Sequence, residues 1–398
     1  LPVRHYGAAV EEFWARIHTM ESRPEKTLVV ETGILCNNHC AFCYQNGYRR
    51  ISGVTRLIDV GIIRERILWG ASNGYSDLSL TGGEPTIRKD FVEILRYAKD
   101  VGYQHISVTT NGSRLCDVGF FKESVMAGLD GMGVSIHGIS SQVHDAVAGR
   151  DGAFAQAVRA IRNGARTQQA LGGKRFRLNT FSVIHKDNVR ELPALTDMLA
   201  GLGVKLMILQ PPVVGKSNVS PLAEVSLDDV VDAVRRAARA AVAGGYLIKP
   251  FNIPPCMLPD VADGLDMTMY SRQTFRENDD SKPGARSHGD EVGFVRLPAC
   301  ERCAAVGFCS GLSLTLLPEP DLVKPFMDIV SHAGANQAPL WLTGTEFLTA
   351  GCITQVINAV EGRFVWLCTG GSHRAGAGVF EAVRDVRRAG GTGIAFIH

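Results

Sequence analysis

Thr27-Leu-Val-Val-Glu-Thr-Gly-Ile-Leu-Cys36-Asn-Asn-His-Cys40-Ala-Phe-Cys43-Tyr44 joins an apolar run to a loop bearing three cysteines. The run Thr27–Gly33 reads as a strand, and Gly33, Asn37 and Asn38 mark the next segment as a loop. Three soft thiolates spaced CxxxCxxC fit one loop wrapped around an iron–sulfur cluster. A structural zinc ion wants four ligands, usually from two CxxC-type pairs. A cubane held by three cysteines leaves one iron without a protein ligand, and that open iron is where chemistry would occur.

Outward from this loop the chain alternates. Ile62–Ala71, Phe91–Lys99, Phe120–Ala127, Ala153–Ala165 and Val189–Leu202 have helical spacing. Between them Asp77–Leu80, His105–Thr110, Gly133–Ile136, Phe176–Ile184 and Val204–Leu209 read as strands. Such βα units in series predict a parallel sheet whose ligands sit at the carboxyl ends of the strands. The polar oddities fall at those ends: the cysteine loop, Gly82-Gly83-Glu84, Thr110-Asn111-Gly112, Ser135 with His137, Asn179-Thr180, and Gln210-Pro211-Pro212.

Composition narrows the class. The chain has 398 residues, 45% apolar and 21% charged, as in an ordinary soluble protein of two or three domains. Its net charge of +2 asks for neither nucleic acid nor an anionic membrane. No stretch is apolar and long enough to span a bilayer, and Leu1–Tyr6 lacks the apolar core of a signal peptide. Of ten cysteines, six fall in two tight groups, which suggests metal binding in a reducing compartment, hence the cytoplasm.

CxxxCxFC, TGGEPT, VTTNG and VSIHG, in that order, resemble the radical S-adenosylmethionine (radical SAM) superfamily, and in particular molybdenum-cofactor cyclases and enzymes with a second cluster. The resemblance covers about Thr27 to Pro212. It implies an α/β fold, a partial (βα)6 barrel, with a [4Fe–4S] cluster on Cys36, Cys40 and Cys43. The open iron would chelate S-adenosyl-L-methionine, and one electron would cleave the sulfonium to methionine and a 5′-deoxyadenosyl radical. A flavodoxin- or ferredoxin-type donor would supply that electron.

The resemblance also implies residue roles. Gly82 and Gly83 would let the backbone approach the methionine moiety. Glu84 would offer its carboxylate to the ammonium. Asn111 is a further cofactor-side residue. Ser135 and Arg150 are candidates for the carboxylate or ribose, Asn179 for the sulfonium region or ribose, and Phe42 and Tyr44 for the adenine pocket. His137 departs from relatives that carry Asp there, and reads either as a substrate-side residue or as a satisfied structural histidine.

Downstream, Cys300-Glu-Arg-Cys303 and Cys309 form CxxCxxxxxC, with Cys256 upstream in Asn252-Ile-Pro-Pro-Cys256. Four thiols would saturate a second, auxiliary [4Fe–4S] cluster, similar to the twitch and SPASM extensions of radical SAM enzymes. A zinc ion on the same thiols and a cluster with an open iron that binds substrate are the other readings. The last cysteine of a complete two-cluster SPASM domain is missing. Arg272–Asp290 is hydrophilic and reads as a mobile loop or lid.

The final segment reads as strand Arg363–Cys368, a Gly-rich turn, a helix to about Arg388, and strand Gly391–His398. Such a turn exposes N–H groups at a helix N-terminus, and Gly370, Gly371, His373 and Arg374 are candidate anion ligands. CTGGSHR and GIAFIH resemble the C-terminal domain of the RapZ family of RNase adapters. With six Lys/Arg against seven Asp/Glu from Gly311 onward, phosphate is favoured over RNA.

The expected organisation is an extension over 1–26, a radical SAM core over 27–212, an auxiliary-cluster region over 213–312 and a small C-terminal α/β domain over 313–398. The leading functional reading is hydrogen abstraction from a small molecule, with a phosphorylated one favoured by the 369–374 loop and the cyclase-like core. Modification of a ribosomally made peptide is the alternative. The twenty-six residues before the first strand are few for a peptide-recognition domain. An iron–sulfur sensor or RNA-associated adapter is the reading from another class.

Overall fold

The computed structural model describes residues 27–43, 45, 57–171, 175–211, 225–254 and 257–266, together with the strands 274–277, 294–295, 312–313, 340–343, 365–368 and 394–397. It divides into two compact units, one formed by residues up to 212 with 217–289, the other by 213–216 with 290–398.

In the first unit the strands are β1 (Thr27–Glu31), β2 (Asp77–Thr81), β3 (His105–Thr110), β4 (Gly131–Ser135), β5 (Arg177–Val183), β6 (Leu206–Gln210), β7 (Leu247–Pro250) and β8 (Thr274–Glu277). The helices are α1 (Val60–Ser72), α2 (Phe91–Val101), α3 (Val118–Met126), α4 (Ser141–Ala148), α5 (Ala153–Leu171), α6 (Leu192–Gly201) and α7 (Leu227–Gly244). All eight strands lie parallel in the order β7-β6-β5-β4-β3-β2-β1-β8. The six expected strands are all present. The sheet is wider than six because β7 and β8 extend its two edges.

Besides β7, three elements of this unit were not legible in advance. Helix α4 is short. Helix α7 buries mostly Ala and Val (Val230, Val231, Ala233, Val234, Ala237, Ala238 and Ala241), a weak apolar signal inside a segment expected to belong to the cluster region. The third element corrects an expectation: within Arg272–Asp290, read as a mobile loop, Thr274–Glu277 pairs with β1 in parallel register. Polar residues suit an edge strand, which needs only one laddered neighbour.

The two faces of the sheet differ in chemistry. Leu28, Val30, Leu78, Leu80, Ile106, Val108, Met132, Val134, Leu178, Met207, Leu209 and Ile248 are buried on one face. Helices cover that face closely: Gly70 of α1 lies against Leu28, and Gly164 of α5 against Met132 and Leu178. Alternate residues form the other face, which is mostly polar: Glu31, Ser79, Thr81, Ser107, Thr109, Ser135, Asn179 and Lys249 among them. Arg177 Nη1 lies 3.9 Å from Asp77 Oδ2, although three strand spacings, about 14 Å when flat, separate β5 from β2.

In the second unit, β9 (Phe294–Val295) and β10 (Leu312–Ser313) pair antiparallel. Strands β11 (Leu340–Thr343), β12 (Val365–Cys368) and β13 (Ile394–Ile397) form a parallel sheet with β12 central. The strands expected at 363–368 and 391–398 thus occur, and β11 is added to them.

Candidate functional site

The cysteine loop leaves β1 at the carboxyl end of the sheet and is tied down on three sides. On the first side, Leu35 O accepts from Glu84 N at 2.8 Å. A Cβ on Gly83 would stand 2.1 Å from that same Leu35 oxygen, and Gly83 has φ +56°. Gly82 likewise faces Gly33 O and Glu31. The two glycines are therefore required by the cysteine loop's own backbone, whatever a ligand adds. Gly83 N also donates to Gln45 Oε1 at 2.9 Å.

On the second side the loop ends helix α4. His39 N donates to Ala148 O at 2.8 Å and Ala41 N to Val147 O at 3.0 Å, so the loop satisfies carbonyls the helix leaves open. Gly149, in the left-handed region at φ +63°, passes under His39 O. Arg150 is next in the chain, and its Nε donates to Asn38 Oδ1 at 2.6 Å. Its Nη2 is buried without a hydrogen-bond partner.

The third side is the end of β3. Asn37 Nδ2 donates to Ser113 Oγ at 2.9 Å, and Asn111 Nδ2 donates to Asn37 Oδ1 at 2.7 Å and toward Cys36 Sγ at 3.8 Å. Asn111 Oδ1 accepts from Ser113 N. The Asn111 side chain, expected on the cofactor, is thus engaged with the cysteine loop.

The Glu84 side chain is likewise engaged with the protein itself. Its carboxylate is 1% exposed and turned into the protein. Oε1 accepts from Thr86 Oγ1 at 2.5 Å, Thr86 N at 3.1 Å and Thr110 Oγ1 at 2.7 Å, while Oε2 accepts from Asn111 N at 2.6 Å. Burial pushes its pKa up, against the pull of those four hydrogen bonds. The residue caps the turn Pro85–Ile87 and joins β2 to β3. Arg88 supports the loop's root with bonds from Nη1 to Thr32 O and Ile58 O, both 2.8 Å, and a paired contact with Asp90.

Cys36, Cys40 and Cys43 are each half-buried. Burial, then the nearby charges of Cys43 and Cys36, push the Cys40 thiol up to about 12. Among the described residues no three His, Cys, Asp or Glu side chains converge enough to hold one metal ion. Three thiols within electrostatic reach of one another are a soft donor set of the kind a cubane takes, each sulfur binding a different iron.

Phe42 lies beside these thiols and meets His137 edge to face at 4.7 Å. His137 is buried. Its Nδ1 accepts from Val183 N, its backbone N donates to His144 Nδ1 at 3.0 Å, and its carbonyl accepts from His185 Nε2 and Asn188 Nδ2. The structural alternative for His137 therefore describes it. His144 and His185, buried with it, went unnoticed in the sequence because they carry no motif. Burial first lowers all three histidines, His144 to about 4.

Ser135 and Asn179 lie on the polar face, with Asn179 Oδ1 buried and unpartnered above Gly133. Ser135, Phe181, Ile208 and Lys249 share one register row near the carboxyl end. Lys249 Nζ stands 4.0 Å from Asp266 Oδ2, both side chains largely buried. The alanine-rich segment before β7 shows little apolar contrast, so no sequence pattern puts Lys249 on a face. Tyr44, Cys256, Cys300, Cys303, Cys309, Gly370, Gly371, His373 and Arg374 lie outside the described residues. Cys300, Cys303 and Cys309 fall in sequence between the antiparallel strands β9 and β10. No described helix is long and apolar enough to cross a membrane.

Residues 30–199 match the model of the radical SAM superfamily. A protein of Saccharolobus islandicus named probable GTP 3′,8-cyclase is 32% identical over 198 residues, which are 49% of this chain and 60% of that protein. The chain thus spans about three-fifths of such curated relatives. Streptococcus suis SuiB, solved with S-adenosylmethionine, aligns over 77% of both chains with a TM-score of 0.51 at 14% identity. Native anSMEcpe with bound AdoMet aligns over 78% of this chain and 97% of its own, also at TM-score 0.51 and 14% identity. These two likenesses are of fold.

Proposed function

We propose that residues 30–199, which match the radical SAM superfamily model, are the catalytic domain of an enzyme, and that the chain cleaves S-adenosylmethionine reductively and abstracts hydrogen from a small, phosphorylated molecule. The observation that carries this reading is the three-sided docking of the Cys36–Cys43 loop at the carboxyl end of a parallel sheet, next to the sheet's polar face. Cys36, Cys40 and Cys43 would hold the cluster, which supplies one electron for cleavage to methionine and a hydrogen-abstracting 5′-deoxyadenosyl radical.

The protein's own groups prepare that chemistry. Glu84 and Asn111 fix the loop from below. Arg150 Nη2 and Asn179 Oδ1, buried and unpartnered, are a donor and an acceptor suited to the cofactor's carboxylate and hydroxyl groups. Lys249, on the polar face across from the cysteine loop, suits an anionic substrate group, and the cyclase-named relatives support a nucleotide-like one. A buried ion pair such as Lys249–Asp266 adds little net stability, so its place on the substrate face favours a binding role. A flavodoxin- or ferredoxin-type protein would donate the electron.

Cys256, Cys300, Cys303 and Cys309 would hold an auxiliary [4Fe–4S] cluster, the last three carried between a paired β9 and β10. The parallel pairing of β12 with β13 fits a strand–turn–helix–strand crossover in which Gly370, Gly371, His373 and Arg374 meet a phosphate.

Anaerobic reconstitution tests the reading, with iron, sulfide and dithionite-driven 5′-deoxyadenosine counted for the parent and a Cys36→Ala/Cys40→Ala/Cys43→Ala variant. About eight irons falling to about four, with the product lost, is the expected result. Unchanged iron in the variant and no 5′-deoxyadenosine from the parent would overturn it in favour of a sensor. Deuterium transfer from labelled nucleotides but not peptides separates the substrate classes.

A further inference from the structure

Cys36 receives N–H donors at its sulfur, from Asn38 N at 3.4 Å and Asn111 Nδ2 at 3.8 Å. Asn111 is 8% exposed and held from every side. Its backbone N–H is fixed by Glu84 Oε2, its Oδ1 by Ser113 N, and its amide by Asn37 Oδ1. The amide plane therefore has little freedom to turn, and its second N–H is left for the sulfur.

A donor aimed at a cluster thiolate stabilises the more negative, reduced state and raises the reduction potential. Building on the proposed cluster at Cys36, we propose that Asn111 is a positioning residue that sets the cluster's reduction potential through its N–H contact with Cys36. Glu84 acts one step further back, holding Asn111 rather than any ligand. The buried carboxylate after β2 thereby reaches the cluster through the turn after β3.

A redox titration of the reconstituted protein, followed by electron paramagnetic resonance of the reduced cluster, tests this without any turnover. At a potential where the parent is half reduced, Asn111→Leu is expected to show a several-fold smaller reduced signal at equal iron content. Ser113→Ala removes the Asn37 tie but leaves Asn111 Nδ2 in place, and is expected to titrate as the parent. Equal potentials in parent and Asn111→Leu at full iron would overturn the proposal. Should the Leu variant take up no cluster, Asn111→Ala is read in the same way, and cluster loss in both would leave Asn111 a structural role only, which also overturns it. A parent that itself takes up no cluster would instead overturn the reading of Cys36, Cys40 and Cys43.

Discussion

Glu84 Oε2 accepts the backbone N–H of Asn111 at 2.6 Å, twenty-seven residues away in sequence and one strand away in the sheet. All four donors on this carboxylate come from the protein itself. Replacing it with Gln presents an amide N–H2 to at least one donor that cannot reverse, the Asn111 or Thr86 backbone N–H. Glu84→Gln is expected to destabilise the first unit by about 1–3 kcal/mol and to speed iron loss from the reconstituted protein. Urea titration and iron release to a chelator measure the two effects; stability and release equal to the parent's would show that Glu84 is not the brace.

Gly83 and Gly74 separate a docking constraint from a purely conformational one. Both have positive φ, +56° and +77°. A Cβ at Gly74 meets nothing within 4 Å, whereas at Gly83 it meets Leu35 O at 2.1 Å. Gly74→Ala is expected to cost about 1 kcal/mol from backbone strain alone, leaving cluster uptake intact. Gly83→Ala must also push the cysteine loop away, and is expected to cut iron incorporation several-fold. Equal iron in the two variants would contradict the docking.

These two cases show what the sequence disclosed and what it did not. Short apolar runs around Leu28, Val30, Leu78, Leu80, Ile106 and Val108 revealed the strands, and their alternation with helices revealed which end of the sheet matters. The spacing of Cys36, Cys40 and Cys43 revealed the loop's chemistry. What stayed hidden was which polar atoms point at each other. Glu84 and Asn111 stand in motifs a ligand reading explains equally well, and only the pairing of β2 with β3 turns them toward one another. Helix α7 and Lys249 were missed because alanines bury quietly: Ala233, Ala237, Ala238 and Ala241 form a core stripe with little hydrophobic contrast.

The histidine cluster sets a pH limit. An imidazole in the unfolded chain titrates near 6.5, whereas burial holds His144 down to about 4 and lowers His137 and His185 as well. Between those values the unfolded state binds more protons, so stability is complete above about pH 6.5 and is lost as pH falls toward about 4. His144 alone would account for a loss on the order of 3 kcal/mol. His144→Asn, which keeps an acceptor for His137 N–H but does not titrate, is expected to flatten that decline in urea titrations across the range. An unchanged slope would show that other groups carry the acid sensitivity.

Arg150 offers the last comparison. Its Nε is committed to Asn38 Oδ1, and its buried Nη2 has no partner, an arrangement that costs free energy unless a ligand completes it. A carboxylate would do so, since a charge-assisted bond to a guanidinium is about twice as strong as a neutral one. Arg150→Lys keeps the charge but lacks the fork needed to hold Asn38 and a ligand together. The variant is expected to retain its iron and to bind S-adenosylmethionine roughly 10- to 100-fold more weakly, the equivalent of about 1.4–2.8 kcal/mol. Equilibrium dialysis with the labelled cofactor, on reconstituted parent and variant, measures this directly. Unchanged affinity at full iron would remove Arg150 from the cofactor site and leave it as the clasp between helix α4 and the cysteine loop.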